Sequence, residues 1–135
     1  SQYQSFHITV EGGKVAKIKS ANNILSVLKK LGMDLEPVLC GGDLDEWNQE
    51  REQWHSGANF FAIAPGKVLS YARNIHTLNE LNKYGFEVVP AWDIVNNKRD
   101  IASLKKCVIT LEGSELPRGG GGARCMTMPL RRTDL

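Results

Sequence analysis

The sequence predicts an α/β fold built from repeated ββαβ modules. Short runs in which apolar residues alternate with polar ones precede a segment with helical periodicity, and this order of patterns occurs twice. We place the modules at about residues 3–42 and 58–90, with an incomplete third unit over residues 106–132. A chain of 135 residues with 41% hydrophobic content is expected to be globular and about the size of one domain.

The first module opens with a predicted hairpin. Phe6, Ile8 and Val10 alternate with polar residues, the chain turns at residues 11–13, and it returns over residues 15–18.

A helix and a strand are predicted to complete this module. Asn22 and Asn23 precede an apolar stripe over residues 24–31, and Gly32 is placed to end the helix. The apolar run over residues 35–40 then predicts a strand.

The second module repeats this order. Two apolar strands are predicted within residues 59–71, joined by a Pro-Gly turn. Thr77 and Glu80 form a capping-box pattern that predicts a helix over residues 77–84, and a strand follows at residues 86–90.

The segments outside the two modules are less regular. Residues 43–57 predict a short helix on which Trp47 and Trp54 share a narrow stripe, and we expect both tryptophans to be packing anchors. Residues 91–106 indicate a loop with a short helix, and residues 105–111 a strand. An apolar strand or turn is expected after the glycine-rich stretch that follows.

The charge balance names no partner. With 17 basic and 15 acidic residues the net charge is +2, so neither a nucleic-acid nor a membrane partner is expected. No apolar stretch is long enough to span a bilayer, and the first ten residues lack the layout of a signal peptide. We expect a soluble protein, and because the chain starts at Ser1 we expect further residues upstream.

The three cysteines predict free thiols. They are odd in number, widely spaced and without a C-x-x-C pair, which argues against a disulfide framework and a zinc site. We expect no metal site, and free thiols favour a reduced, cytoplasmic protein. Cys40 and Cys107 lie in apolar runs and are expected to be buried and inert.

Cys125 is the candidate nucleophile. Four glycines, Gly119–Gly122, approach it and Arg124 precedes it, and nearby positive charge from Arg118 or Arg124 raises the thiolate fraction of a cysteine. A buried core cysteine beside a flexible linker is the alternative. A phosphate cradle is a third possibility, although the run lacks the lysine of a P-loop.

A general base for this thiol is not evident. His7, His55 and His76 have no carboxylate in an H-x-D or D-x-H arrangement, and no pair of carboxylates forms an obvious grip for a cationic substrate.

Four strings carry a resemblance to a known family. They are CGG at 40–42, EREQWHSGANFFAIAPGKVLSYARN at 50–74, GFEVV at 85–89 and GSELPRGGGGARCMTMPL at 113–130. Together they resemble the C-terminal part of bacterial-type arginine deiminase, over nearly the whole chain and least over residues 91–107. The resemblance implies a pentein fold, a five-bladed α/β propeller of ββαβ modules. It also implies hydrolysis of L-arginine to L-citrulline and ammonia without a cofactor.

The resemblance further implies roles for individual residues. Cys125 would attack the guanidinium carbon and form a covalent amidino intermediate. Arg118, Gly119 and Gly120 would border the substrate, with the Gly119 carbonyl offered to the guanidinium; one relative pattern has arginine at the position of Gly120. The family's two guanidinium-binding carboxylates and its H-x-D histidine lie upstream and match nothing here; His7-Ile8-Thr9 is not that motif.

We therefore expect a C-terminal fragment that is nearly inactive alone, whose partners are L-arginine and the N-terminal part of the same protein. The complete protein is expected to be a homo-oligomer. Two alternatives stay open. One is a related hydrolase acting on agmatine or peptidyl arginine. The other is a non-catalytic module that binds anions through four arginines: Arg118, Arg124, Arg131 and Arg132.

Overall fold

The computed structural model describes residues 5–131, so residues 3, 4 and 132 of the predicted modules lie outside the described residues. The chain divides into two compact units, one up to Pro37 and one from Val38 onward. Both units mix helices and strands, which confirms the α/β class. Within residues 5–131, no helix has the length and apolar character that crossing a bilayer requires.

The first unit is a hairpin followed by one helix. Strands β1 (Ser5–Glu11) and β2 (Lys14–Ala21) are antiparallel, and the two glycines of the turn between them both have positive φ, 56° and 76°. Helix α1 (Ile24–Lys30) starts at Asn23, whose side chain accepts a hydrogen bond from the Ser26 N–H at 2.8 Å. These elements confirm the sequence prediction.

One expectation at the end of this unit is wrong. Residues 33–39 have no regular secondary structure, so the strand predicted over 35–40 does not form; Pro37 has no N–H to donate to a neighbouring strand. The apolar stripe of β1 is exposed, with Phe6 at 56% and Ile8 at 52%. His7 on the opposite face is half-buried and lines one cavity with residues of α1, because the helix lies on that side.

The second unit contains the remaining elements in chain order. They are α2 (Glu46–Trp54), β3 (Phe61–Ala64), β4 (Lys67–Tyr71), α3 (Ile75–Lys83), β5 (Glu87–Pro90), α4 (Ala91–Val95), a 3₁₀ turn (Ile101–Ser103), β6 (Cys107–Leu111) and a second 3₁₀ turn (Leu116–Arg118). The elements expected within residues 58–90 are present in the expected order. Their grouping into a propeller module stays a prediction.

The four-stranded sheet has the order β3-β4-β6-β5. Strand β3 is antiparallel to β4, whereas β6 lies between β4 and β5 and is parallel to both. Because successive side chains of a strand point to opposite faces, β6 contributes to both faces of the sheet. Val108 packs with Leu78 and Leu81 of α3, and Cys107 and Ile109 pack in a second cluster with residues of α4. The sheet is therefore covered on both sides.

The start of α3 differs from the prediction. The helix begins at Ile75, two residues earlier than expected, and Thr77 and Glu80 do not form a capping box. The carboxylate of Glu52, on α2, accepts hydrogen bonds from the backbone N–H groups of His76 and Thr77 at 2.9 and 2.7 Å and from the Thr77 hydroxyl at 2.7 Å. A carboxylate from another helix thus takes the capping position.

The side of α2 that is buried is not its aromatic stripe. Trp47 and Trp54 are 79% and 78% exposed, while Glu52 is 1% exposed. The expectation that both tryptophans are packing anchors is therefore wrong for the described residues. The helix instead buries Glu52, whose carboxylate caps the start of α3.

The CGG string joins these helices. The Gly41 N–H donates to the Thr77 hydroxyl at 2.8 Å, and the Gln49 carboxamide donates to the Gly42 carbonyl at 2.6 Å. Gly41 has φ +81°, and a Cβ there would lie 2.3 Å from the Gln49 Cα. Only glycine fits this position without a shift of backbone.

Candidate active site

The segment that carries Cys125 begins where the central strand β6 ends. Leu111 lies opposite Tyr71 of β4 in parallel register. The chain then passes through the second 3₁₀ turn, the glycine loop (Gly119–Gly122) and a turn over residues 123–126. The loop therefore follows the carboxyl end of a parallel strand, the edge at which open α/β sheets place their ligands.

Tyr71 ties the glycine loop to the sheet. Its side chain is buried, and its hydroxyl donates a hydrogen bond to the Gly121 carbonyl at 3.0 Å. Gly121 has φ +77°, and a Cβ there would lie 2.9 Å from the Cys125 Cβ. The loop thus needs glycine at this position both for its backbone angle and for the close approach of Cys125.

Cys125 has a hydrogen-bond partner from a distant part of the chain. The Asn59 carboxamide Nδ2 donates to the Cys125 Sγ at 2.8 Å. A Cβ at Gly122 would lie 2.6 Å from both Cβ and Cγ of Asn59, so the glycine leaves the space that the carboxamide occupies. Asn59, Gly122 and Cys125 therefore form one packed group.

The surroundings lower the pKa of the Cys125 thiol. The Asn59 hydrogen bond is the largest cause, the backbone N–H of Gly122 is the next favourable one, and the charge of Arg124 acts in the same direction against partial desolvation. Burial raises the pKa of Tyr71, and the charge of the Cys125 thiolate raises it further, so the phenol stays a hydrogen-bond donor. Cys125 itself is exposed and open to reagents.

The other predicted site residues lie on the outer part of the loop. Arg118 forms an ion pair with Glu115 at 3.1 Å, and both side chains are mostly exposed. Gly119 is exposed with open space where a Cβ would point. At Gly120 a Cβ would lie 2.9 Å from the sulfur of Met126. Their roles toward a substrate stay predictions.

The remaining thiols differ from Cys125. Cys107 is fully buried in β6, as predicted. Cys40 is half-buried in a turn rather than in a strand; burial raises the pKa of its thiol, although the Thr77 hydroxyl oxygen lies 3.5 Å from its sulfur. Residues 5–131 contain no cluster of three or more His, Cys, Asp or Glu side chains able to hold a metal ion.

The contacts described for the two histidines of the second unit do not involve the Cys125 sulfur. The His55 Nδ1 lies 2.6 Å from the Arg51 carbonyl, and the backbone N–H of His76 belongs to the α3 cap. Of the arginines considered for an anion-binding patch, Arg124 precedes the thiol, and Arg132 lies outside the described residues.

Sequence reasoning missed Asn59 and Tyr71. Both stand in the second of the resembling strings, but neither has a periodic or motif-like neighbour that marks it as functional. The signal that points to them is the glycine loop itself. A glycine leaves room for another residue's side chain to lie against the loop backbone, so four glycines indicate that such side chains are present.

The fold and the site define a mixed α/β protein with an exposed thiol of lowered pKa beside a glycine loop. A sequence profile of the arginine deiminase family matches residues 4–132, nearly the whole chain. The chain belongs to the arginine deiminase family.

Curated relatives give the same family. The chain is 37% identical to the arginine deiminase of Mycoplasma capricolum subsp. capricolum over 134 residues, 99% of this chain and 27% of the relative. It is 38% identical to that of Oenococcus oeni, over 88% of this chain and 24% of the relative. It is 40% identical to that of Clostridium perfringens, over 87% and 24%. The chain spans about a quarter of the length of these relatives.

Proposed function

We propose that this chain is the C-terminal portion of an arginine deiminase and supplies the nucleophile that converts L-arginine to L-citrulline and ammonia. The observation that carries this proposal is Cys125, an exposed thiol whose pKa is lowered by hydrogen bonds and a neighbouring arginine. A thiolate is the form of cysteine that attacks an electrophilic carbon, and the positive charge of a guanidinium group further favours it.

The proposed reaction has two halves. The Cys125 thiolate forms a C–S bond to the guanidinium carbon, one terminal nitrogen takes a proton, and the bond from that nitrogen to carbon breaks to release ammonia. Water then adds to the amidino carbon and gives up its protons, the C–S bond breaks, and the ureido group of citrulline leaves the regenerated thiolate. Arginine plus water is thereby converted to citrulline plus ammonia, with no change of oxidation state.

We propose that the chain alone is nearly inactive. Its sequence contains no H-x-D pair to move the protons, and the contacts described for Cys125 within residues 5–131 come from an amide, backbone and an arginine rather than from carboxylates. Loss of general acid-base catalysis alone typically lowers a rate by about 10² to 10⁴. The short share of the relatives' length that this chain covers supports the same proposal.

Citrulline formation tests both parts of the proposal. The purified chain is incubated with L-arginine, and we expect no citrulline above the uncatalysed background. In the complete protein, numbered as here, we expect robust turnover that Cys125→Ser lowers by at least about 10³-fold. Robust turnover by the 135-residue chain would refute the proposed inactivity, and full activity of the Cys125→Ser protein would refute the nucleophile.

Substrate choice separates this proposal from the related guanidine hydrolases. The complete protein is assayed with free arginine, agmatine and a peptide containing arginine, and we expect arginine to have the highest kcat/KM by orders of magnitude.

The pentein propeller, a cytoplasmic location and a homo-oligomeric state are parts of the same proposal, as is the absence of a nucleic-acid or membrane partner.

A further inference from the structure

Asn59 is a polar side chain that the nucleophile proposal does not use. It lies between α2 and β3, where its backbone N–H donates to the Ser56 carbonyl at 3.1 Å. Its Nδ2 donates to the Cys125 Sγ across 66 residues of sequence at 2.8 Å. The nitrogen of a carboxamide only donates hydrogen bonds, and a thiolate only accepts them, so this contact is stronger when the sulfur is charged.

The geometry fixes where the carboxamide of Asn59 lies. Gly122 is buried, and a Cβ there would lie 2.8 Å from Nδ2 and 2.6 Å from Cγ of Asn59. Any side chain at Gly122 would therefore displace the carboxamide from Cys125. The loop is also held from the other side, since the Tyr71 hydroxyl donates to the Gly121 carbonyl, so the sulfur has a defined position against which Asn59 can be placed.

We infer that Asn59 is a further functional residue, which stabilises the Cys125 thiolate and fixes the direction of its sulfur, and that Gly122 is glycine in order to admit it. The inference rests on the proposed nucleophilic role of Cys125. Asn59 contacts the reacting atom itself and is not only part of the loop's packing.

Two substitutions of Asn59 distinguish an electrostatic role from a packing role. Asn59→Ala removes the donor and leaves the sulfur with its backbone contacts. Asn59→Asp keeps the size and shape of the side chain but presents a negative oxygen to the sulfur. If the donor matters, the thiol pKa rises in the Ala variant and rises further in the Asp variant. If Asn59 only fills space, Asn59→Asp should change the labelling of Cys125 less than Asn59→Ala does, because aspartate is the closer match to asparagine in shape.

The experiment measures the rate of alkylation of Cys125 by iodoacetamide as a function of pH. Iodoacetamide is neutral and needs no active-site carboxylates, so the 135-residue chain is used as it stands. Peptide mass spectrometry reports each thiol separately; the half-buried Cys40 serves as the internal reference, and labelling of the buried Cys107 reports unfolding. We expect Asn59→Ala to slow labelling of Cys125 near neutral pH by about three- to tenfold, with the difference vanishing at high pH where every thiol is ionised.

Controls keep the inference falsifiable. Asn79→Ala makes the same chemical change at an exposed position of α3 and should leave the labelling profile of Cys125 unchanged. Gly122→Ala should raise the thiol pKa as Asn59→Ala does. The double variant should raise it little further, because both substitutions remove the same contact between the Asn59 carboxamide and the Cys125 sulfur. Far-ultraviolet circular dichroism checks that each variant is folded.

The outcomes are distinct. Equal pH profiles for the wild-type, Ala and Asp chains, or a uniform loss of rate at all pH values, would overturn the role of Asn59. Failure of the nucleophile proposal is seen separately, as full turnover of the complete Cys125→Ser protein. If Asn59→Ala does not fold, the isosteric Asn59→Asp and the Gly122→Ala chains still decide the question.

Discussion

Replacement of Glu52 by glutamine should destabilise the second unit although it changes one atom of the side chain. The wild-type carboxylate is 1% exposed and accepts three hydrogen bonds, from the backbone N–H groups of His76 and Thr77 and from the Thr77 hydroxyl. Glutamine keeps one acceptor oxygen and turns an NH₂ group toward the remaining donors. At least one donor at the start of α3 then loses its partner.

The expected cost follows from these contacts. A hydrogen bond to a charged acceptor contributes about 1.5–3 kcal/mol, and a negative group at a helix N-terminus adds about 0.3–1 kcal/mol. Loss of one such bond and of the charge gives about 2–4 kcal/mol for Glu52→Gln. Glu52→Ala leaves all three donors unpaired next to a cavity, and we expect about 3–5 kcal/mol.

Urea unfolding, followed by far-ultraviolet circular dichroism, measures this effect, because helices α2 and α3 both contribute to the signal. At about 2 kcal/mol per molar urea, the midpoint of Glu52→Gln should fall by about 1–2 M. Glu50→Gln is the matched control, since Glu50 is exposed on the same helix and its change should cost less than about 0.5 kcal/mol. Equal midpoints for Glu52→Gln and Glu50→Gln would refute the capping role.

Three further predictions follow from the contacts around Cys125 and α2. Gly41→Ala should cost about 3–5 kcal/mol, because it combines a positive φ with a Cβ 2.3 Å from the Gln49 Cα; a wild-type urea midpoint would contradict this. Tyr71→Phe should speed hydrogen exchange of the glycine-loop amides, because their anchoring hydroxyl is lost. Lowering the pH should raise the ratio of Cys125 to Cys40 labelling by iodoacetamide, since the pKa of Cys125 is lowered and that of Cys40 raised; a ratio that falls with decreasing pH would be the contrary result.

Local patterns predicted local structure well. The Pro-Gly pair at 65 and 66 predicted the turn between β3 and β4, where Gly66 has φ +72°, and Asn23 predicted the start of α1. Both depend on residues within a few positions of one another. The strand expected over residues 35–40 failed, because an apolar run forms a strand only when another strand offers it hydrogen bonds.

Long-range contacts decided the features that sequence reasoning missed. The capping box at Thr77 was wrong because Glu52, 25 residues away, takes the same donors. The glycines beside Cys125 were enough to nominate that thiol. They did not reveal Asn59, since the partner lies 66 residues away and a single asparagine before a strand carries no pattern of its own.

The position of β6 in the sheet has a consequence for synthesis of the protein. Strands β4 and β5 do not pair with each other. Each pairs with β6, which is translated last of the three. Residues 72–106 separate β4 from β6 and take about 2–7 s to translate at typical rates of 5–20 residues per second. During that interval the edge of β4 that later pairs with β6 is unpaired, and a chaperone can protect it. Cys125 is translated only after β6, so every nascent chain that contains the thiol also contains the central strand of its sheet.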